Sequence, residues 1–553
     1  MNAKEEQDFR NKLAALRQQQ RREHHEERKA EAAQDSSHRR LSRAERGSVE
    51  EAFRAIKENK NPRTARAEDV LEVLAEAERG RPGADARETE RSRAQSLAHK
   101  LWCRRGWLAE LRPVELTCLS FVLVILLGSL LLSLPIATRS GQPAPYLTAL
   151  YTATSATSVT GLVVEDTMLF WSTFGHVVIA LLIQIGGISL LTIISAVSFG
   201  LHRRLALSTR VAIQNSTAAD SFDSAYSLVG KILAVTGTME GLAALLLTWR
   251  FSQYMPFLHA LKKACFQAVS AFCNAGFDLM GDYSGPYSSL SAFQHDPVVL
   301  LVTALLLISG GLGFVLWTDP GLWRRGRRMS FHSRLVLSVS AFLLVLGTVF
   351  FFFVERHGEI GGMPFGERLL NSFFQSASLR TAGFNSVDQG ALEESSKMLG
   401  GIWMIIGAGP ASTGGGIKVT TLALLLAALR QDLVASSAEI HLLRHRISPT
   451  LIRRSSSIFM LALTIVCLLT LILKLSDPAG SSLIDCFYEA SSAFGTVGLS
   501  ATGSAHWSVL GKLALIVTMY IGRVGPVALA LSFMTRHEEQ KYTIYPEGKT
   551  FVG

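Results

Sequence analysis

The stretch Ala490-Ser491-Ser492-Ala493-Phe494-Gly495-Thr496-Val497-Gly498-Leu499-Ser500 is a run of small residues that closes on Thr-Val-Gly-Leu. The same grammar recurs at Ser155-Ala156-Thr157-Ser158-Val159-Thr160-Gly161-Leu162, at Ser270-Ala271-Phe272-Cys273-Asn274-Ala275-Gly276-Phe277 and at Ser376-Ala377-Ser378-Leu379-Arg380-Thr381-Ala382-Gly383-Phe384. From Gly161 to Gly276 is 115 residues, from Gly276 to Gly383 is 107, and from Gly383 to Gly498 is again 115. So regular a spacing marks an internal repeat, and its period is too long for a solenoid unit, so each repeat must hold several elements of its own.

Around these runs the composition divides. The 553 residues are 48% hydrophobic and 18% charged, but residues 1–100 alone carry 23 Lys/Arg and 20 Asp/Glu. From Leu116 onward come apolar runs close to the roughly 20 residues that cross about 30 Å of hydrocarbon. They are expected at 116–136 and 170–199, 228–249 and 297–318, 333–354 and 396–429, and 454–475 and 507–534. Each pair flanks one small-residue run, a helix of roughly 11–13 residues that covers only about half of the bilayer core. The ends of so short a helix are tolerated at membrane depth only where protein or a water-filled cavity satisfies them.

The expected fold is therefore an all-α polytopic membrane protein: four span–pore helix–span repeats around a pseudo-fourfold pore, preceded by a cytoplasmic helical or disordered region. The domains expected are the charged N-terminal region 1–112, pore repeats at 113–224, 225–330, 331–450 and 451–540, the third with an intramembrane gating loop, and a tail at 541–553.

Loop charges give the orientation. Arg203, Arg204 and Arg210 follow the second span of the first repeat; Arg324, Arg325, Arg327, Arg328 and Arg334 that of the second; Arg430, Arg444, Arg446, Arg453 and Arg454 that of the third. Glu165, Asp166, Asp278, Asp282, Asp388, Glu393 and Glu394 follow the glycines instead. The cationic side marks the cytoplasm, which places both termini inside and the glycine ends outside. Lys262 and Lys263 do not fit this pattern.

Other readings have less in their favour. Met1 opens no apolar signal-peptide core. Ser48-Val49-Glu50-Glu51 matches a capping box and Asp69–Leu74 has a small apolar face, so short helices are expected there. With a net charge of only +3 over residues 1–100, the clusters Arg21-Arg22 and Arg39-Arg40 suit solvent, lipid headgroups or a protein partner, and not nucleic acid. The six cysteines form no CxxC pair and the histidines no HExxH. Gly414-Gly415-Gly416-Ile417-Lys418-Val419-Thr420 echoes a phosphate-binding turn but lacks its spacing and sits in an apolar span. No enzyme and no organic cofactor is expected.

The four-repeat plan, Thr496-Val497-Gly498-Leu499, the segment Gly407–Lys418 and the run Gly522-Arg523-Val524-Gly525-Pro526 together resemble the Trk/Ktr/HKT potassium transporters. The likeness is greatest to the KtrB branch, because the chain ends soon after the eighth expected span, at Tyr545-Pro546-Glu547-Gly548-Lys549-Thr550-Phe551-Val552-Gly553. It covers about 112–553 and departs from the family in its long front end. The resemblance implies K⁺ as substrate, Na⁺ as an activating ion, and a homodimer in the lipid membrane seated on a cytosolic KtrA-type ring that binds nucleotides.

Physical chemistry places the filter. Rings of backbone carbonyls can replace an ion's hydration shell, and glycine permits the backbone geometry that aims them inward. The filter residues expected are Val159, Thr160 and Gly161; Asn274, Ala275 and Gly276; Thr381, Ala382 and Gly383; and Thr496, Val497 and Gly498. Only one copy reads Thr-Val-Gly, so looser K⁺/Na⁺ discrimination is expected than in a tetrameric channel. Alternating-access cation transporters, also built on broken helices, are the alternative, although they favour twofold or inverted repeats.

A gate is expected just inside. The 33 residues Lys397–Leu429 exceed what one span needs, and Gly407, Gly409, Pro410, Gly414, Gly415 and Gly416, with Ser412 and Thr413, lie in their middle. Each mid-helix Gly costs about 1 kcal/mol against Ala and Pro about 3 kcal/mol, so a loop at membrane depth is expected. Arg523 in the last span should face the same water-filled path. Lys418 is expected to snorkel toward the cytoplasm. The apolar tail ending in Phe551-Val552 makes Gly553 a candidate dimer contact.

Overall fold

Between Pro113 and Leu132 the chain is almost wholly apolar, with Glu115 the acidic residue of its first turn, so it folds as a helix whose whole circumference suits hydrocarbon. The computed structural model in which this helix appears describes residues 113–188, 222–319, 329–434, 440–443, 445–477 and 480–525. The front end 1–112, the arginines at 203–210 and 324–328, and the tail with Gly553 lie outside the described residues.

In chain order the helices are α1 (Pro113–Leu132), α2 (Tyr146–Ser158) and α3 (Thr173–Ile188); α4 (Phe222–Phe251), α5 (Phe257–Phe272), α6 (Pro297–Gly311) and α7 (Phe314–Thr318). Then follow α8 (Phe331–Val354), α9 (Phe365–Ser378), α10 (Glu394–Ile405) and α11 (Val419–Val434), a two-stranded antiparallel hairpin of β1 (His441–Leu442) and β2 (His445–Arg446), and α12 (Pro449–Ser476), α13 (Leu483–Gly495) and α14 (Val509–Val524). Among the described residues α4, α8 and α12 are long and apolar enough to cross a membrane, and α1, α3 and α6 supply shorter apolar helices.

Helix starts are written locally. Ser330, Ser482 and Ser508 each accept a backbone N–H three residues on, at 3.1 Å, and Asp296, ahead of Pro297, accepts from Val298 at 3.0 Å and Val299 at 3.3 Å.

The short and long helices bury opposite kinds of surface. The long helices leave Leu245, Phe342 and Leu475 exposed, and α1 leaves Leu123, as a lipid-facing surface requires. In α2, by contrast, every residue from Tyr151 to Ser158 is buried, and most are small. With 13, 16, 14 and 13 residues, α2, α5, α9 and α13 reach at most about 24 Å at 1.5 Å per residue. Neighbouring repeats lean on one another in sequence. A Cβ added to Gly187 of α3 would meet Cys273, just past α5, and one on Gly400 of α10 would stand 3.1 Å from Tyr488 of α13. Lys397 of α10 also pairs with Asp485 of α13 at 3.1 Å. Tyr520 Oη of α14 donates to Cys118 O of α1 at 3.0 Å, which joins the last helix to the first.

Two expected spans are not continuous. The one placed at 396–429 is interrupted between Ile405 and Val419, where the glycines and Pro410 lie. The one placed at 297–318 also breaks, between Gly311 and Phe314, where Gly313 has φ +96°. Each break supplies what the other lacks: Gly409 N donates to Gly311 O at 2.8 Å, Thr413 N to Gly310 O at 3.3 Å, and Phe314 N to Ala411 O at 2.8 Å. Backbone groups freed by one interruption are thereby satisfied by the other, the condition for irregular chain at membrane depth.

Lys262 and Lys263 find their explanation in contacts. Lys262 Nζ donates to Thr173 Oγ1 at 3.1 Å, and Lys263, 4% exposed, pairs with Asp282, which is 31% exposed. The difference in exposure sets an expected result. Asp282→Asn leaves a buried ammonium uncompensated and should cost about 3 kcal/mol, whereas Lys263→Met leaves a carboxylate that water can reach and should cost about 1 kcal/mol. Thermal unfolding in mild detergent should therefore show the larger drop for Asp282→Asn; the reverse order would refute the burial argument.

Candidate functional site

The four short helices end alike. Two residues before each closing glycine stands a residue with left-handed backbone: Val159 (φ 58°), Asn274 (φ 60°), Thr381 (φ 61°) and Thr496 (φ 50°). Asparagine tolerates that region; the three β-branched residues do so only at a cost on the order of 1–3 kcal/mol each. Serines of the preceding turn hold the bend. Thr160 N, Ala275 N and Val497 N donate to the carbonyls of Ser155, Ser270 and Ser492 at 2.8, 2.7 and 2.9 Å. Gly161 N and Gly498 N donate to the hydroxyls of Ser155 and Ser492, each at 3.0 Å. In the third copy Ala377 takes the serine's place, and Ser378 closes the bend by donating from its hydroxyl to Phe384 O.

The four glycines meet. Their φ angles are +95° at Gly161, +68° at Gly276, +81° at Gly383 and +101° at Gly498. A Cβ added to Gly161 would stand 3.0 Å from Gly276 Cα, one on Gly276 3.0 Å from Gly383 Cα, and one on Gly498 3.0 Å from Gly161 Cα. On Gly383 it would stand 2.2 Å from Val497 O, next to Gly498. The contacts run from each copy to the next and return to the first. The carbonyls of Thr160, Ala275, Ala382 and Val497 lie in the same circle, each beside the glycine of the preceding copy. All twelve residues singled out from sequence as a filter are therefore on this circle or on the bend that leads into it.

The segment 406–418 lies against the left-handed residues. A Cβ on Gly414 would fall 2.0 Å from Thr381 Oγ1, one on Gly415 2.3 Å from Thr496 Oγ1, and one on Gly310 2.8 Å from the Asn274 side-chain amide and 2.9 Å from Thr413 Oγ1. Thr381 Oγ1, Thr496 Oγ1 and Ser412 Oγ are buried without a hydrogen-bond partner. Glycines of the second helices allow the approach: Gly186 abuts Val159 and Gly522 abuts Thr496. Arg523 donates to Thr413 O and, across to α3, to Gly186 O and to Gly187 O, the last at 3.3 Å. Its guanidinium thus ties the segment to the end of another repeat. Gly409, Pro410, Ser412, Thr413, Gly414, Gly415, Gly416 and Arg523 are all brought together here.

Lys418 corrects an expectation. It does not snorkel away but turns back, and Nζ donates to Gly414 O at 2.7 Å and Gly415 O at 3.3 Å, because those carbonyls have no helix to accept for.

Sequence reasoning missed two features. Arg380, 7% exposed and just past the end of α9, donates to Ser340 O at 3.3 Å and Ser340 Oγ at 3.0 Å. A cation there complements the helix C-terminus, and its place inside an otherwise neutral motif was the signal. The pairs Gly186-Gly187 and Gly310-Gly311, at matched positions near the ends of second helices, were the sign of close approach.

Chemically, the C-terminal ends of four short helices point their partial negative charge at a circle of carbonyl oxygens, an arrangement that can hold a desolvated monovalent cation. Among the described residues no group of three His, Cys, Asp or Glu could hold a metal ion.

Comparison with known proteins gives consistent results. A family model described as TrkH, cation transport protein, matches residues 117–545. The chain is similar to the potassium/sodium uptake protein NtpJ of Enterococcus hirae, 33% identical over 80% of this chain and 98% of the relative. It is similar to the Ktr system potassium uptake protein B of Bacillus subtilis, 34% identical over 80% of this chain and 97% of the relative, and to that of Vibrio alginolyticus, 34% identical over 79% and 94%. Its fold is similar to the crystal structure of the potassium transporter TrkH from Vibrio parahaemolyticus, with TM-score 0.59 and 16% identity over 75% of this chain and 84% of that one.

Proposed function

Because this chain belongs to the TrkH family of cation transport proteins, we propose that it carries K⁺ across the inner membrane through the circle of carbonyls at Gly161, Gly276, Gly383 and Gly498. The observation that carries the reading is the closure of that circle: four glycines, more than a hundred residues apart in sequence, adjacent in space and each at positive φ. Potassium as the cargo is supported by relatives named potassium uptake proteins. The filter is Val159–Gly161, Asn274–Gly276, Thr381–Gly383 and Thr496–Gly498. Its mixed side chains give it looser discrimination than four identical strands would. The segment Gly409–Gly416 is its gate, held closed by Arg523 from beneath.

Control then comes from outside the pore. An open potassium path would short-circuit the membrane potential, and the chain shows no nucleotide-binding motif, so closure is governed by a partner. Relatives named as parts of a Ktr system support a KtrA-type cytosolic ring as that partner. The active unit is a homodimer in lipid, with both termini cytoplasmic, Gly553 at the dimer contact and Na⁺ as activating ion.

Full-length protein purified into liposomes tests the reading. A membrane potential should drive saturable K⁺ entry that needs no fixed number of Na⁺ or H⁺ per K⁺. Strict stoichiometric coupling would favour alternating access, and no K⁺ flux with or without a cytosolic regulator would overturn transport itself.

A further inference from the structure

Glu489 is wholly buried on α13, nine residues before Gly498, and the cation path as described makes no use of it. Its carboxylate accepts hydrogen bonds from Ser500 Oγ and Ser504 Oγ, each at 2.5 Å. Both serines belong to the segment that leaves the circle after Gly498. A buried carboxylate can only accept, and two short bonds from hydroxyls are the strong, charge-assisted kind.

Other copies tie the outgoing segment at the same place by other chemistry. Ser504 lies six residues after its glycine, and so does Gln389 in the third copy. Gln389 accepts from Gln375 Nε2 at 2.7 Å and from Tyr488 Oη at 2.9 Å, and donates to Val387 O at 2.9 Å. In the second copy the sixth residue is Asp282, which pairs with Lys263 of α5. A short helix thus grips the segment emerging from its own copy in three of four cases, and in the fourth copy the grip is a buried carboxyl group. That copy is also the one that reads Thr-Val-Gly.

We propose that Glu489 is a positioning residue for cation selection: by clamping Ser500 and Ser504 it fixes the direction of the Val497 and Gly498 carbonyls, and so the preference for K⁺ over Na⁺. A strand released from the clamp lets the circle contract, and a contracted circle serves the smaller Na⁺ as well as it serves K⁺. The inference rests on the proposed potassium path through the four glycines.

The test compares Glu489→Gln, Ser504→Ala and the double variant with wild type in liposomes, reading the K⁺/Na⁺ permeability ratio, the K⁺ KM and the maximal rate. The amide keeps the shape but cannot accept as a charge, so Glu489→Gln should lower the ratio about tenfold, the scale of one charge-assisted hydrogen bond, and raise KM more than it lowers the maximal rate. Ser504→Ala should lower the ratio about threefold, and the double variant should be no worse than Glu489→Gln alone, because both remove one clamp. If Glu489→Gln fails to yield a monodisperse protein, Ser504→Ala decides. A ratio within twofold of wild type, with only yield or maximal rate reduced, would assign Glu489 to folding alone and overturn the proposal. Gly498→Ser, measured alongside, separates the levels. If it shifts the ratio and Glu489→Gln does not, the clamp is wrong and the path stands; if neither folded variant shifts it, the path itself falls and the clamp with it.

Discussion

Serine at Gly498 is expected to reduce K⁺ affinity or K⁺/Na⁺ preference at least tenfold. A side chain there faces two obstacles at once. With φ at +101° the backbone is outside what L-residues adopt at low cost, a penalty on the order of 1–3 kcal/mol. Its Cβ would also stand 2.2 Å from Thr160 O and 3.0 Å from Gly161 Cα, so the circle must open to admit it. Every 1.4 kcal/mol is about a factor of ten, so the backbone penalty alone reaches the expected effect. The four positions should not respond equally. Gly383 meets Val497 O at 2.2 Å and Gly161 meets Ala275 O at 2.5 Å, whereas Gly276, with φ +68°, meets Ala382 O at 3.0 Å. Gly276→Ser should therefore be the mildest of the four. Flux measured for each single variant in liposomes checks this, and three substitutions that leave affinity and selectivity unchanged would remove the circle as the ion site.

The second large effect is opening. Arg523→Ala removes the donors to Thr413 O, Gly186 O and Gly187 O, and with them the tie between the interrupted segment and α3. Deleting Ala411–Gly415 removes Gly414 and Gly415, which stand against Thr381 and Thr496, and leaves only Gly407 of the segment beside Thr381. A cation inside the bilayer costs roughly 2.5–3.5 kcal/mol on insertion scales, so a role is needed to retain it, and repelling K⁺ beneath the circle while holding the segment supplies one. Either variant should raise K⁺ flux several-fold with no regulator present. Flux that stays flat or falls in both, with the protein folded, would withdraw the gate and leave the circle untouched.

What could be read from sequence depended on how far the cause lay from the residue. The glycines were legible because a positive φ at a crowded axis writes the same residue once in each copy, at similar intervals. Helix positions were legible from apolar length, except where the spans expected at 297–318 and 396–429 break. The left-handed residues before the glycines were not, since Val159, Thr381 and Thr496 have no preference for that backbone and are held in it by their surroundings. The break after Gly311 was hidden for a similar reason: its hydrogen-bond partners come from Gly409, Ala411 and Thr413, about a hundred residues on. Lys263 read as an anomaly because its partner, Asp282, sits in the loop beyond the circle. Lys418 was misread because snorkelling is the default for a lysine near a span end, and only the loop's own shape shows that two free carbonyls lie within its reach.

The proposed cation position lies among the carbonyls of Thr160, Ala275, Ala382 and Val497. Crystals of the full chain grown in Tl⁺ or Rb⁺ in place of K⁺ test it most directly, through an anomalous difference map. A peak is expected on the axis encircled by Gly161, Gly276, Gly383 and Gly498, weakened when Na⁺ replaces the heavier ion. A well-ordered circle with no peak on its axis, or the strongest peak elsewhere in the membrane region, would contradict it.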